Sequence, residues 1–341
     1  MTKYIETTLA HSPNFFDETL SLLETAFKYP SHQSFLTDFY PLLGTHNHEH
    51  CHILVQDGKV VGHIGINRRT LLCKSQKLEV LLIGGIAIHP SFQGQGVFSS
   101  FFESILDKYR DKAALMFLWS DLTSLYNKFD FYEAGGIIQT GRKTLLKESL
   151  DSSWIESNLK DISIEQFREI KSLYNSKSRP HLLRTENDWS AIREVQSAKL
   201  YYKENENNEI SSYFIIGKGN DLPGIIHEYF AKDEEQFFKE VDTAKLWLPE
   251  LYNSLYHKKE IHYGHFVSIS SFPQFSTFLL NITDSELSLN ASDKEKIYFN
   301  FKDTEYALEK SQFLTSLFGP NPIEEFENIF KGFMINGLDS V

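Results

Sequence analysis

Two cysteines, Cys51 and Cys73, are all that 341 residues contain, too few for a disulfide framework. Long apolar runs are missing as well: no stretch approaches the roughly 20 residues that a membrane-spanning helix requires. The first residues, Met1-Thr2-Lys3-Tyr4-Ile5-Glu6, lack the apolar core of a leader peptide, so a cytoplasmic protein is expected. Positive charge is short too. Lys and Arg number 34 against 46 Asp and Glu, a formal net charge of −12. Nucleic acid is therefore not an expected partner, since it calls for a basic face, whereas small cationic molecules such as amines are weakly attracted. Two nucleotide signatures are absent: there is no Gly-x-x-x-x-Gly-Lys-Ser/Thr and no Gly-x-Gly-x-x-Gly.

What is present points to a phosphate. The run Leu82-Ile83-Gly84-Gly85-Ile86-Ala87-Ile88 is a strand that stops at His89-Pro90. The corner Ser91-Phe92-Gln93-Gly94-Gln95-Gly96 follows, and a helix is expected over Phe98 to Tyr109. A glycine-rich turn that opens a helix gathers free amides at the positive end of the helix dipole, which suits an anion. Glycine at 94 and 96 lets the backbone approach it closely. A second segment follows about thirty residues on. Leu115 to Ser120 reads as a buried strand, and Asp121 to Phe131 as a short helix capped by Ser120 or Asp121.

These two segments resemble the GNAT acetyltransferases. The family's coenzyme loop, Gln/Arg-x-x-Gly-x-Gly/Ala, matches Gln93-Gly94-Gln95-Gly96-Val97-Phe98, with Phe98 departing in the last place. The family's Tyr-x-x-x-Gly-Phe matches Tyr126-Asn127-Lys128-Phe129-Asp130-Phe131, with Asp130 in the glycine place, a residue that tolerates left-handed backbone. The resemblance implies an N-acetyltransferase that passes an acetyl group from acetyl-CoA to a primary amine of a small molecule or peptide, by direct attack in a ternary complex. It implies contacts to acetyl-CoA from Ile86, Ala87, Ile88, Gln93, Gly94, Gln95, Gly96, Val97, Phe98 and Ser99. It further implies that the Ile88 or Ala87 N–H polarises the acetyl carbonyl and that Tyr126 protonates the leaving sulfur. Against these stand a core-aromatic role for Tyr126 and a ligand-free glycine turn.

No general base is assigned. Glu79 has the best position but reads as a solvated strand-end acid, Asp121 as a cap, and His89 as a surface residue at the lip of the corner. A chain of waters is enough to remove the amine's proton. The alternating His46, His48, His50 and His52 have i, i+2 spacing, yet Gly44-Thr45 reads as a loop and no second ligand pair exists, so no metal is expected.

The expected fold is α/β (α+β): a mixed, mostly antiparallel GNAT sheet flanked by helices, in two GNAT-like domains in tandem. Domain one spans 1–148, with strands over Tyr4–Leu9, His52–Val55, Val60–Ile66, Leu78–Ile88 and Phe131–Leu146, and helices over Phe15–Phe27 and Ser34–Leu43. A linker is expected at 149–158. The second domain, 159–341, is a degenerate copy: Leu246 to Lys258 echoes Leu118 to Lys128, and Leu200–Lys203 with Ile210–Lys218 repeats a hairpin. Its Gly224–Phe230 strand is followed by Asp233-Glu234-Glu235, which repels a pyrophosphate, so no coenzyme is expected there. Two other functions stay open: a catalytically silent acyl-CoA-binding or scaffold protein, and an aminoacyl-tRNA-dependent transferase of related fold, which the acidic balance disfavours. The acceptor is not readable from the variable loops Phe27–Gly44 and Gly135–Arg142, and neither is the oligomeric state.

Overall fold

A computed structural model describes residues 4–141, 150–255, 260–326 and 329–341. The chain forms two compact units, each discontinuous in sequence. Unit 1 is Met1–Glu133 with His265–Phe313 and Ser340–Val341, and unit 2 is Ala134–Gly264 with Leu314–Asp339.

In unit 1 the strands are β1 (Ile5–Thr8), β2 (Cys51–Gln56), β3 (Lys59–Cys73), β4 (Gln76–Ile88) and β5 (Leu115–Leu118). The Asp57-Gly58 turn expected from sequence joins β2 to β3, both of its residues having positive φ, 50° and 74°. Pairing runs β1–β2–β3–β4, all antiparallel, and then β4 with β5 in parallel. The helices are α1 (Phe16–Ala26), α2 (Phe35–Asp38), α3 (Tyr40–Leu43), α4 (Val97–Tyr109) and α5 (Thr123–Tyr126). The single helix expected over Ser34–Leu43 is broken at Phe39, where Pro41 removes an amide from the next turn. Helix α4 buries Val97, Phe101, Phe102, Ile105 and Tyr109, a stripe at helical spacing, against Ile64, Ile66, Leu81 and Ile83 of the sheet.

The sequence-based boundary near 148 is not where the chain divides. Strand β6 (Tyr132–Thr140) runs into unit 2, and residues 142–149, where the last of the closing strands and the start of the linker were expected, lie outside the described residues. The rest of the expected linker is built into the fold. Trp154 is buried among Tyr201, Phe214 and Phe237, and β7 (Ile155–Ser157) pairs with a later strand. An indole and a hydrogen-bonded strand do not stay free in solvent.

Unit 2 continues with α6 (Ile164–Asn175), β8 (His181–Leu183), α7 (Glu186–Arg193), β9 (Lys199–Glu204), β10 (Ile210–Ile216), β11 (Ile225–Ala231), α8 (Glu234–Glu240) and β12 (Lys245–Pro249). Its pairing runs β7–β9–β10–β11 antiparallel, then β11 with β12 in parallel. That is the pattern of unit 1. Each pattern is completed by a strand from elsewhere in the chain: β6 pairs with β12 in unit 2, and in unit 1 the C-terminal part of β13 (Glu260–Ile269) pairs with β5. Unit 1 also holds α9 (Phe272–Ile282), the three-stranded sheet β14 (Leu287–Ser292), β15 (Lys296–Phe301) and β16 (Thr304–Glu309), and the start of α10 (Lys310–Phe318). Among the described residues no helix is long and apolar enough to cross a membrane.

Candidate active site

Strand β4 carries a bulge. Its register with β3 runs from Cys73↔Gln76 to Gly65↔Gly84 and resumes one residue out of step at His63↔Ala87. The shift is absorbed at Gly85, whose φ of +57° is left-handed. His63 braces the bulge: its Nδ1 is 2.7 Å from the Gly85 carbonyl oxygen. A carbonyl only accepts, so the ring carries its proton on Nδ1. Burial holds the imidazole neutral, its pKa pushed down to about 4.

On its other side β4 parts from β5. The parallel ladder runs from Val80↔Leu115 to Ile83↔Leu118 and ends there. From Gly84 to Ile88 that edge of β4 has no ladder partner among the described residues. On the face where a Gly84 Cβ would stand lies the main chain of Val341, so no side chain fits at this position.

The corner follows. Pro90–Phe92 forms one 3₁₀ turn, Gln93 Nε2 donates to the Ile88 carbonyl at 3.0 Å, and Gln95 Nε2 donates to the Ser91 carbonyl at 2.7 Å. Both side chains thus brace the loop from within. Gly94 and Gly96 have φ of +72° and +78°, and a Cβ on either would meet no atom within 4 Å. Gly96 caps α4 with no side chain in the way, leaving the amides of Val97, Phe98 and Ser99 as the free donors of the first helical turn. The Phe98 departure has a structural reason. Its ring stacks on Phe102 and meets Tyr126 and Phe129 edge-on, away from the open side of the corner, so its amide remains available.

Tyr126 ends α5 and is 4 % exposed. Its ring packs among Phe98, Phe102 and Phe266, the last supplied by β13, a contact that no local motif signals. Burial is the main reason its pKa is pushed up to about 12; Asp121 adds to the shift, and a hydrogen bond with Ser120 opposes it. The phenol is therefore protonated at neutral pH and able to donate. Asp130 closes the following turn with φ of +61° and is held by Lys310, whose Nζ is 2.9 Å away. The left-handed glycine place of the motif is thus filled by a residue that tolerates it. The cap before α5 differs from expectation. Leu122 is the capping residue, while the Ser120 hydroxyl accepts from the Leu122 amide at 3.1 Å and Asp121 makes no cap.

The other candidates lie apart. Glu79 is exposed, accepts from Thr70 Oγ1 at 2.8 Å, and borders a groove of about 440 Å³ with Gln76, Gln274 and Asn281. His89 is exposed and its Nδ1 accepts from the Ser91 amide at 3.3 Å. His46 and His48 bond to the carbonyls of Pro41 and Leu43, whereas His50 and His52 both reach the Tyr109 hydroxyl. Among the described residues no group of three His, Cys, Asp or Glu could hold a metal ion.

In unit 2 the segment after β11 presents a carboxylate: Asp233 caps α8 by accepting from the Gln236 amide at 2.9 Å. His227 Nε2 is 3.0 Å from the Gly217 carbonyl. Glu228 is 1 % exposed and is held by Arg184, which donates from Nη1 at 3.1 Å and also pairs with Asp339 at 2.9 and 2.8 Å. Both strand residues have structural roles. The Arg184 cluster had no sequence signal, because its members lie up to 155 residues apart.

Residues 10–134 match the family described as "Acetyltransferase (GNAT) domain". That match, over little more than a third of the chain, supports a place in the GNAT superfamily. No curated protein matches it in sequence. Solved structures do share its fold. A GCN5-related N-acetyltransferase from Kribbella flavida is 12 % identical, with a TM-score of 0.62 over 100 % of this chain and 99 % of that one. Eis1 from Mycobacterium abscessus is 10 % identical, with a TM-score of 0.59 over 98 % of each. The N-myristoyltransferase of Saccharomyces cerevisiae, solved with bound myristoyl-CoA, is 11 % identical, with a TM-score of 0.50 over 70 % of this chain and 68 % of that one. The mixed α/β fold, with a mostly antiparallel sheet flanked by helices, is shared with these GNAT structures, and the domain match at 10–134 supports an acyltransferase.

Proposed function

We propose that this protein transfers an acetyl group from acetyl-CoA to a primary amine of a small molecule or peptide. The observation that carries the reading is the parting of β4 from β5 after Ile83 and Leu118, directly before the open corner at Gly94 and Gly96. An extended pantetheine arm adds to the free edge of β4 as a further strand, hydrogen-bonding along Ile86, Ala87 and Ile88. The diphosphate rests on the amides of Gly94 to Ser99 at the positive end of α4, a helix of 13 residues. A structural neighbour with a long-chain acyl-CoA bound supports this kind of ligand.

In the transfer the amine nitrogen attacks the thioester carbonyl carbon, and the carbonyl oxygen gains charge that an Ala87 or Ile88 N–H stabilises. As the carbon–sulfur bond breaks, Tyr126 gives its phenolic proton to the sulfur. The amine's proton leaves through water. Phe98 and Phe266 fix the Tyr126 ring, so the donor is positioned by packing. Unit 2 repeats the strand pattern of unit 1, which supports a second, degenerate GNAT copy; with Asp233 over its helix amides, that copy has a packing or substrate-selecting role.

The test is release of free thiol from acetyl-CoA across a panel of amines, with binding of acetyl-CoA measured separately by calorimetry. Binding without thiol release from any amine would instead favour a silent acyl-CoA-binding protein.

A further inference from the structure

The far end of α4 carries a hydrogen-bond chain whose direction is set by its first member. Lys108 Nζ is 3.4 Å from His52 Nδ1. An ammonium has donors only, so Nδ1 accepts, and the proton of this ring stands on Nε2. Burial, reinforced by Lys108, keeps His52 neutral, with its pKa pushed down to about 3. Its Nε2–H donates to the Tyr109 hydroxyl oxygen at 3.0 Å. The phenolic hydrogen is then left for His50 Nδ1, 2.9 Å away. His50 accepts at Nδ1 and carries its own proton on Nε2. That atom has no hydrogen-bond partner among the described residues.

The strand register shows what surrounds it. His52 faces Ile64 across the β2–β3 ladder, and side chains repeat every second residue, so His52, Ile64, Ile66 and Arg68 share one face of the sheet; His50, the last residue of the 3₁₀ turn before β2, meets that face by reaching the same Tyr109 hydroxyl as His52. Arg68, Lys108 and Lys112 are exposed and none of them makes an ion pair among the described residues; the Lys112 ammonium stands 5.1 Å over the Tyr109 ring. Arg68, Lys108 and Lys112 all push the His50 pKa down, behind burial as the largest cause, and Glu49 is the carboxylate acting in the opposite sense. On a chain of net charge −12, this is a local concentration of donors and positive charge.

The geometry points to a binding site for a phosphate-type dianion, free or as a small monoester, formed by His50 Nε2–H with the Arg68 guanidinium and the Lys112 ammonium. The relay makes His50 a donor even when neutral, which lone surface cations do not provide. The site is distinct from the coenzyme corner, because the 13 residues of α4 separate the two by about 20 Å.

Protein labelled with ¹⁵N-histidine and titrated with inorganic phosphate, then with phenyl phosphate, at constant ionic strength tests this. Two-bond ¹H–¹⁵N spectra should show His50 and His52 both as Nε2–H tautomers at neutral pH. Either probe should shift His50 saturably and raise its titration midpoint, since an anion favours the imidazolium. Arg68→Ala should weaken the apparent affinity about fivefold or more by removing a charge-assisted donor, and Tyr109→Phe should weaken it by releasing the His50 tautomer. His89 reports separately on any phosphate at the coenzyme corner. Saturation by phenyl phosphate alone assigns the site to a monoester, and saturation by both admits the free ion. An Nδ1–H tautomer at His50, no response of His50 to either probe, or an unchanged response in Arg68→Ala overturns the proposal.

Discussion

His63 Nδ1 donates to the carbonyl oxygen of Gly85 across 2.7 Å, and this one bond ties the interior of β3 to the irregular turn of β4. A Cβ on Gly85 would stand 3.1 Å from the imidazole, so ring and glycine are fitted to one another. His63 touches no expected ligand; it is a positioning residue. His63→Ala should lower kcat about tenfold, a loss of roughly 1.4 kcal/mol from one misplaced backbone donor. The KM for acetyl-CoA should change little, because the proposed diphosphate contacts lie elsewhere. His63→Gln, which keeps a side-chain N–H, should recover part of the rate. If Ala and Gln variants lose kcat equally, or KM rises in step, the bond is merely structural.

Tyr126→Phe keeps the ring that packs on Phe98, Phe102 and Phe266 and deletes only the hydroxyl. Turnover should fall about a hundredfold, in the usual range for a general acid, with acetyl-CoA affinity nearly unchanged by calorimetry. Parallel loss of binding and rate would make the residue structural.

Gly96→Glu should abolish acetyl-CoA binding. It adds a carboxylate where the diphosphate is expected and forces a side chain into backbone at φ of +78°. Folding should survive, since a Cβ at this position meets nothing within 4 Å. Retained affinity would move the phosphate site away from the corner.

Acid should destabilise the fold through its buried histidines. His63 and His227 are held down to about 4, and His52 and His265 to about 3, burial being the first cause in each case. Each imidazole binds a proton in the unfolded chain near pH 6.5 but not in the native one until its lowered pKa is reached. Stability is then intact above about pH 6.5 and falls as the pH drops toward about 4, by up to about 1.4 kcal/mol per pH unit for each such group. Urea midpoints measured from pH 7.5 to 4.5 check the sign; a flat profile would contradict it.

Glu228→Leu should cost about 3–5 kcal/mol in urea denaturation, because it leaves the fully buried Arg184 with half of its counter-charge and strands the Tyr213 hydroxyl, which donates to Glu228 at 3.0 Å. A loss below about 1 kcal/mol, the range of a surface pair, would mean that Asp339 alone satisfies the guanidinium.

The local chemistry was legible in the sequence where short-range physics decides it. The Asp57-Gly58 hairpin, the β4 strand, the glycine corner and its helix stand where turn residues and periodicity put them, α4 beginning at Val97. Asp130 takes the left-handed place its residue type allows. The bulge at Gly85 left no trace, because a pair of glycines does not say which one turns. His63 was invisible for a related reason: a buried histidine on a strand reads as core until its carbonyl partner is known. Phe266 and the Arg184–Glu228–Asp339 cluster depend on contacts across more than a hundred residues, beyond any window of sequence. The boundary near 148 failed on the same ground. Composition marks a polar stretch, but it does not show which unit a neighbouring strand joins.

The loan of β13 to unit 1 has a consequence for how the protein is made. The edge of β5 gains its last hydrogen-bonded neighbour only when Phe266 to Ile269 have been synthesised, about 150 residues after β5 itself. Until then Leu115 to Leu118 present an unpaired edge on the very strand from which β4 parts. Unit 1 therefore completes its sheet only after the strands of unit 2 up to β12 have been synthesised.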